Sequence, residues 1–492
     1  MSRKGILVIL DGYGEGVDSE FNAVANAKSP TLKMLKKQPY SLLKTDSEAV
    51  GLFANTMGGS EVGHMTIGAG RIVPTMAKKI TEDLESKEII NNKKFVKMLK
   101  CLKDNNSSIH FIGLLSDKNI HSNFNHLMSL IDLTKDSAKN IYLHIITDGR
   151  DSGVHDSLKY LKMLKAHISK LKNVEITSVS GRAYAMDRDN MLERTNDAFN
   201  AMFSADNAIA KTKVEEYIKQ QHLLGNSDEY IKPVHVGLKT CFSDINKDVI
   251  CFFNFREDRL RQIVKKCEDL KANIFTMTKV SNTLSTTIFE NKLVKNTLSE
   301  HLSRLGKTQV KISESTKYAH VTYFLNGGRE EPFEKEDRIH IPTKKVENFV
   351  SIPKMRAKEI TLATQKAMKK NYDTIIVNYS NADMIGHTGN YKAAVMAIEY
   401  VDKCLKRLLA AAKKQGYFVM ITADHGNSES MVTKNGEPDT AHTLNRVFCT
   451  IVDDKIWQMK KFGELKDVAP TFLDLMNVDK NKYFKGESLI QK

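Results

Sequence analysis

The sequence has no apolar run near the roughly 20 residues a bilayer-spanning helix requires. Its N-terminal run, GILVIL, is six residues long and ends on Asp11, which argues against a secretory signal. The six cysteines (Cys101, Cys241, Cys251, Cys267, Cys404 and Cys449) are scattered and make no C-x-x-C pair. That argues against a disulfide scaffold or a thiolate zinc site, and fits reduced thiols in a cytoplasmic protein. No internal repeat or low-complexity segment interrupts the chain, and there is no basic tail. The net charge of +15 divides into +5 over residues 75–290 and +10 over the remainder. Spread in this way, the excess does not define a nucleic-acid partner, although it can attract an anionic substrate.

The chain has 492 residues, 41% hydrophobic and 27% charged, the composition of a soluble globular enzyme with two domains. Short β-branched runs alternate with helical patterns, which predicts an α/β fold with parallel strands. GILVILDG ends at Asp11, TIIVNYSNADM leads to Asp383, and YFVMITADHGN ends at Asp424 and His425. Chemistry in such sheets sits beyond the carboxyl ends of the strands. The middle of the chain repeats the pattern with other endings. SIHFIGLLSD leads to Asp117, IYLHIITDGRD to Asp148–Asp151, VEITSVSGR to Arg182 and VICFFNFRED to Arg256. Two α/β domains follow, one acid- and histidine-rich and one arginine-rich. The expected division is 1–74 with 291–492 for the first and 75–290 for the second, inserted between the two pieces. Linkers are expected near Val73–Thr75 and Thr286–Asn296.

Asp383 and His387, four residues apart, share one helix face or one tight loop. With Asp11, Asp424, His425 and His442 they form an oxygen- and imidazole-donor set suited to Mn²⁺, Zn²⁺ or Co²⁺. The stretch TMGGSEVGHMTIGAG, Thr56–Gly70, contains five glycines around Ser60 and too little apolar periodicity for a helix or strand. It is not a hydrolase elbow, because Val62 stands where the second glycine belongs, nor a P-loop, since no lysine follows a glycine. Taken alone, it reads as a turn whose serine bonds only to backbone. Beside two metals, Ser60 instead reads as a hydroxyl activated for attack on phosphorus. Arg182, Arg188, Arg256 and Arg259, with Arg150 nearby, offer guanidinium forks for a small, multiply anionic substrate. Asp148 and Asp151 are acids placed to act beside substrate hydroxyls.

In these residues the chain resembles the cofactor-independent phosphoglycerate mutases of the alkaline phosphatase superfamily. The resemblance runs nearly end to end, from ILDGYG and NAVANAKSPT through MGGSEVGHMTIGAGR, SDKNIHSNFNHL, TDGRD and SGRAYAMDRD. It continues through NFREDR, SESTKYAHVTYFLNGGRE, NADMIGHTG, TADHGN and TAHT. It implies an alkaline-phosphatase-like doubly wound sheet split by an inserted substrate domain. It also implies interconversion of 3- and 2-phosphoglycerate through a phosphoserine on Ser60, without 2,3-bisphosphoglycerate. Two divalent ions are implied, usually manganese, with Co²⁺, Mg²⁺ or Zn²⁺ as substitutes. Asp383, His387 and His442 match the ligands of one ion, and Asp11, Ser60, Asp424 and His425 those of the other. Lys317 matches the residue that stabilises the phosphoryl group in flight. His121, Arg150, Asp151, Arg182, Arg188, Arg256 and Arg259 match the phosphoglycerate-binding set, with Asp151 moving the proton between the two hydroxyls. A monomer with no membrane or nucleic-acid partner, whose domains close over the glycerate, completes the expectation.

The chain departs from the family pattern at four places. Gly59 stands where asparagine is usual, and the hinge-side residues IVPTMAKKI after Arg71 differ. A tryptophan is missing near Met191 and Leu192, and Glu257 adds a negative charge beside the proposed anion site. A metal-dependent phosphatase or another phosphomutase of the same superfamily is the main rival, and a basic nucleic-acid-binding protein is the rival from another class.

Overall fold

The computed structural model describes residues 2–204, 208–237, 245–281, 286–290 and 292–491. Cys241 and Asn291, the latter at the expected domain border, lie outside the described residues. The chain divides into two compact units, Met1–Thr75 with Leu293–Lys492, and Met76–Lys292. In chain order the strands are β1 (Lys4–Leu10), β2 (Tyr40–Lys44), β3 (Ile109–Leu114), β4 (Ile141–Thr147) and β5 (Val174–Gly181). There follow β6 (Ala208–Ile209), β7 (Val234–Val236), β8 (Val249–Phe252), β9 (Asn273–Thr276) and β10 (Gln309–Glu314). The last are β11 (Glu336–Ile341), β12 (Thr374–Tyr379), β13 (Tyr417–Thr422), β14 (Val447–Val452) and β15 (Phe462–Glu464).

The first unit is built on an eight-stranded sheet, ordered β11-β10-β12-β1-β13-β14-β2-β15. Strand β1 is central because Ile6–Leu10 are apolar on both faces, each at most 2% exposed. Burying each such side chain stabilises the fold by about 1.5–3 kcal/mol. Parallel register sets Leu10 against Tyr379 of β12 and Ile9 against Thr422 of β13. Asp11, Asp383 and Asp424 therefore leave the sheet along one edge. Strand β10, parallel to β12, delivers the helix Ser315–Ala319 to the same edge.

Two expectations need correction. The sheet is not parallel throughout, since β13–β14 and β14–β2 are antiparallel, as is β5–β7 in the second unit. The chain from Ala423 to Arg446 contains no helix, so it returns to the sheet without the crossover that parallel pairing needs. The stretch around Ser60 also contains a helix, Ser60–Ala69. Its buried face is made largely of Ser60, Gly63, His64, Thr66 and Gly68, so it lacks the apolar stripe that marks an amphipathic helix.

The second unit carries a seven-stranded sheet, ordered β6-β7-β5-β4-β3-β8-β9. Strands β3, β4, β5, β8 and β9 run parallel, so the segments after them emerge on one side. The five described cysteines are free thiols. Among the described residues, no helix is long and apolar enough to cross a membrane.

Candidate active site

In the first unit the buried Ser60 opens its helix, after Gly59 in extended backbone. Two glycines let that helix approach its neighbours. A Cβ on Gly63 would stand 2.8 Å from the Asp424 carbonyl oxygen, and one on Gly68 would overlap the Leu325 carbonyl. Gly59 has no such need, because a Cβ there would meet only His442 at 3.4–3.5 Å, an ordinary contact.

The Ser60 hydroxyl is 2.8 Å from His425 Nε2, 3.1 Å from Asp11 Oδ1 and 2.5 Å from Lys317 Nζ. Lys317 Nζ also reaches Asp11 Oδ1 at 2.8 Å and Asp383 Oδ2 at 2.6 Å. Burial opposes its charge, but Asp11, Asp383 and Asp424 outweigh that and hold the ammonium pKa above its ordinary value. Burial likewise opposes ionisation of Asp11, and Lys317 and His425 hold that carboxyl well below the usual range. His425 is pushed up to about 10, against its burial, by Asp424, Asp11 and Asp383.

Two donor groups result, Asp383–His387–His442 and Asp11–Asp424–His425, the ligand atoms of each lying within 4.8 Å of one another. Their hydrogen bonding fits cations. His387 Nδ1 bonds the Thr440 carbonyl at 2.7 Å and His442 Nδ1 the Gly58 carbonyl at 2.8 Å. Only N–H can serve there, so the two Nε2 lone pairs face each other across 3.0 Å. Both also face Asp383 Oδ1 at 3.2 Å. Three acceptors converging on one point call for a positive charge between them. The Asp383 carboxylate accordingly raises the His387 pKa, favouring a proton where a cation would otherwise lie. In the other group Asp424 Oδ2 is buried without a hydrogen bond. The donor set is oxygen and imidazole, free of sulfur, as manganese, cobalt or zinc would accept.

Sequence reasoning missed two buried residues here. His64 Nδ1 donates to the Ser60 carbonyl at 2.9 Å, while Asn378 donates to His64 Nε2 at 3.1 Å and to Asp11 Oδ2 at 2.7 Å. The signal for Asn378 was an amide inside an apolar strand. For His64 it was a four-residue spacing from Ser60.

In the second unit the predicted residues gather where β3, β4, β5 and β8 end. Arg182 is 1% exposed, and its Nη1 donates to Asp148 at 2.5 Å and Asp151 at 2.6 Å. Asp148 also accepts from Ser116 at 2.7 Å and from the Asp151 amide at 3.1 Å, so it orients the group. His121 Nε2 lies 3.8 Å from Asp151, and its Nδ1 lies 3.8 Å from Asp258. Burial and the Arg182 charge push His121 down to about 4. Arg259 is buried, and its pKa is lowered by burial and by Arg182, Arg188 and Arg150. Guanidinium groups that depress one another are relieved by a bound anion. Arg150, Arg188 and Arg256 are exposed, and Arg182 Nε and His121 Nδ1 are buried without hydrogen-bond partners. Glu257, suspected of opposing an anion, is exposed and paired with Arg261 at 3.0 Å.

Residues 3–480 match the Metalloenzyme superfamily, the class that the donor groups and the sheet edge define. The chain is 40% identical over 512 residues to the 2,3-bisphosphoglycerate-independent phosphoglycerate mutase of Clostridium novyi, covering 100% of both proteins. It is 39% identical to the protein of that name from Helicobacter pylori, covering 97% of this chain and 98% of that one. A phosphoglycerate mutase of Leishmania mexicana, solved at low cobalt concentration, superposes with a TM-score of 0.66. It is 28% identical, with 100% of this chain and 98% of that one covered. The chain belongs to the 2,3-bisphosphoglycerate-independent phosphoglycerate mutase family within that superfamily.

Proposed function

We propose that this chain interconverts 3-phosphoglycerate and 2-phosphoglycerate, with Ser60 carrying the phosphoryl group between the two oxygens. The observation that carries the proposal is the convergence of Asp11, His425 and Lys317 on the Ser60 hydroxyl, beside two metal-type donor groups. Divalent ions, manganese first among them, would be held by Asp383, His387 and His442, and by Asp11, Ser60, Asp424 and His425. Their chemistry would be to ionise the serine and withdraw charge from the phosphoryl oxygens.

Ser60 Oγ attacks phosphorus, and the bond from phosphorus to the glycerate oxygen breaks. Lys317, whose ammonium is held in the charged form, stabilises the equatorial oxygens during transfer. Asp151 passes the proton of the free glycerate hydroxyl to the departing glycerate oxygen. That hydroxyl attacks the phosphoserine and frees Ser60, so atoms and protons balance over the cycle. Arg182, Arg188, Arg256, Arg259, Arg150 and His121 hold the anionic glycerate throughout. Burial and the Arg182 charge keep His121 neutral, which suits it to accept or donate a hydrogen bond there.

The test uses metal-stripped protein and 3-phosphoglycerate, without 2,3-bisphosphoglycerate, followed by phosphorus NMR before and after Mn²⁺ is restored. Formation of 2-phosphoglycerate only after Mn²⁺ addition is expected. Free phosphate in its place would favour a phosphatase, and turnover without metal would overturn the role given to the two donor groups.

A further inference from the structure

The two donor groups depend on four separate stretches of the first unit, and one buried side chain outside both groups touches those of Asp11, His425 and His442. Glu429, four residues after His425, is 3% exposed. Its Oε2 accepts from the Gly14 amide at 3.1 Å and the Asn427 amide at 2.8 Å. Its Oε1 accepts from the Thr443 hydroxyl and from Asn445 Nδ2 at 3.0 Å. Gly14 follows Asp11, Asn427 follows His425, and Thr443 follows His442. The backbone is shaped to admit the carboxylate, since a Cβ on Gly14 or Gly426 would overlap it.

All four partners donate, and the carboxylate accepts from each. A glutamine keeps the two backbone N–H bonds only by turning its NH₂ toward Thr443 and Asn445, which must then reverse from donor to acceptor and lose their bonds to a charged oxygen. The leverage of this contact is uneven. Asp11 follows β1 directly, and Asp424–His425 follow β13, so ladders in the sheet fix both. His442 belongs to residues 431–446, which contain only isolated bridges. Its stretch is also tied by the His442–Gly58 and His387–Thr440 bonds and by the Thr443 amide bonding to Gly426 at 3.1 Å. Thr45 and the Glu15 amide bond to the Asn445 and Arg446 carbonyls. Of the ties at Thr443 and Asn445, Glu429 alone takes both side chains.

We propose that Glu429 is a positioning residue for the Asp383–His387–His442 ion site. It acts through Thr443 and Asn445 to aim His442 and touches neither ion nor substrate. This rests on the two-ion reading above. The test titrates Mn²⁺ into metal-stripped, full-length wild type, Glu429→Gln and Thr443→Val, reading free Mn²⁺ by electron paramagnetic resonance. The His387→Ala and Asp424→Asn variants identify which binding step belongs to which site. Wild type is expected to bind two ions. Glu429→Gln is expected to weaken the His442 site by about 10- to 100-fold, as losses of outer hydrogen-bond partners do, and to leave the other site as it was. Thr443→Val, which removes one donor of four, shows a smaller loss at the same site. It carries the test if the glutamine variant does not fold. Wild-type affinity at both sites in either folded variant, or equal weakening of both sites, overturns the proposal. A wild type that binds fewer than two ions overturns the two-ion reading itself, and this assignment with it.

Discussion

The acid–histidine group of the first unit and the arginine group of the second solve opposite electrostatic problems by different means. In the first, Asp11, Asp383 and Asp424 are each at most 1% exposed and draw cations to themselves, Lys317 and a protonated His425. Its geometry is fixed by sheet register and by outer residues such as His64 and Asn378. In the second, only Arg182 and Arg259 are buried, Arg182 locked by two aspartates, while Arg150, Arg188 and Arg256 reach solvent. Chemistry requires the preorganised arrangement. Capture and release of a small anion suit one buried fork flanked by side chains that can reorient.

Substitutions that act on one group and spare the other test this division. The largest effect belongs to Ser60→Ala, expected to remove mutase turnover by roughly 10⁴-fold or more. Substantial activity in the folded variant would remove Ser60 from the mechanism. Lys317→Met comes next. A loss of about 10²- to 10³-fold in kcat is expected, with Mn²⁺ binding retained because the carboxylates lose a competing cation. Parallel loss of metal would instead make Lys317 part of the framework. Arg259→Ala is expected to lower mutase kcat/KM by about 10- to 100-fold while hydrolysis of p-nitrophenyl phosphate changes little. Equal losses in both assays would erase the distinction between the units.

Acid sharpens the comparison through stability. His121 and His126 of the second unit are held near 4 by burial, with Arg182 adding to the effect at His121. His110 and His144 are lowered by burial too. A depressed folded value means full stabilisation above about 6.5 and progressive loss as the pH falls toward 4. For His121 and His126 the loss at pH 5 is about 2 kcal/mol each. In the first unit burial holds one histidine, His320, near 4, while His387 and His425 are raised, so their contribution is complete below 6.5 and disappears only as the pH rises through their folded values. Hydrogen exchange of metal-stripped protein should therefore show the second unit losing protection first between pH 7 and 5. Simultaneous loss in both units would contradict this. The smallest effect is expected of Glu257→Ala, which breaks an exposed pair and should shift the melting midpoint and KM barely at all.

The sequence made the sheet edge legible because apolar strands ending in Asp11, Asp383 and Asp424 carry their own signal. The arginines after β5 and β8 were legible for the same reason. The helix that begins at Ser60 was not, because its glycines answer to partners such as Leu325, more than two hundred residues away. Antiparallel β14 was missed because nothing local distinguishes a returning strand from a crossing one. His64 and Asn378 carried only a spacing and an in-strand amide, and Glu429 no motif, since their meaning lies in which donors and acceptors the fold brings to them. Lys317, likewise, was reached through resemblance and never through spacing.

The most direct measurement is rapid acid quench of the manganese-loaded protein during turnover of 3-phosphoglycerate, followed by mass spectrometry of its peptides. The account predicts one phosphoryl group on the peptide that contains Ser60, and on that serine. Turnover with no phosphorylated peptide, or with phosphate on another residue, would contradict it.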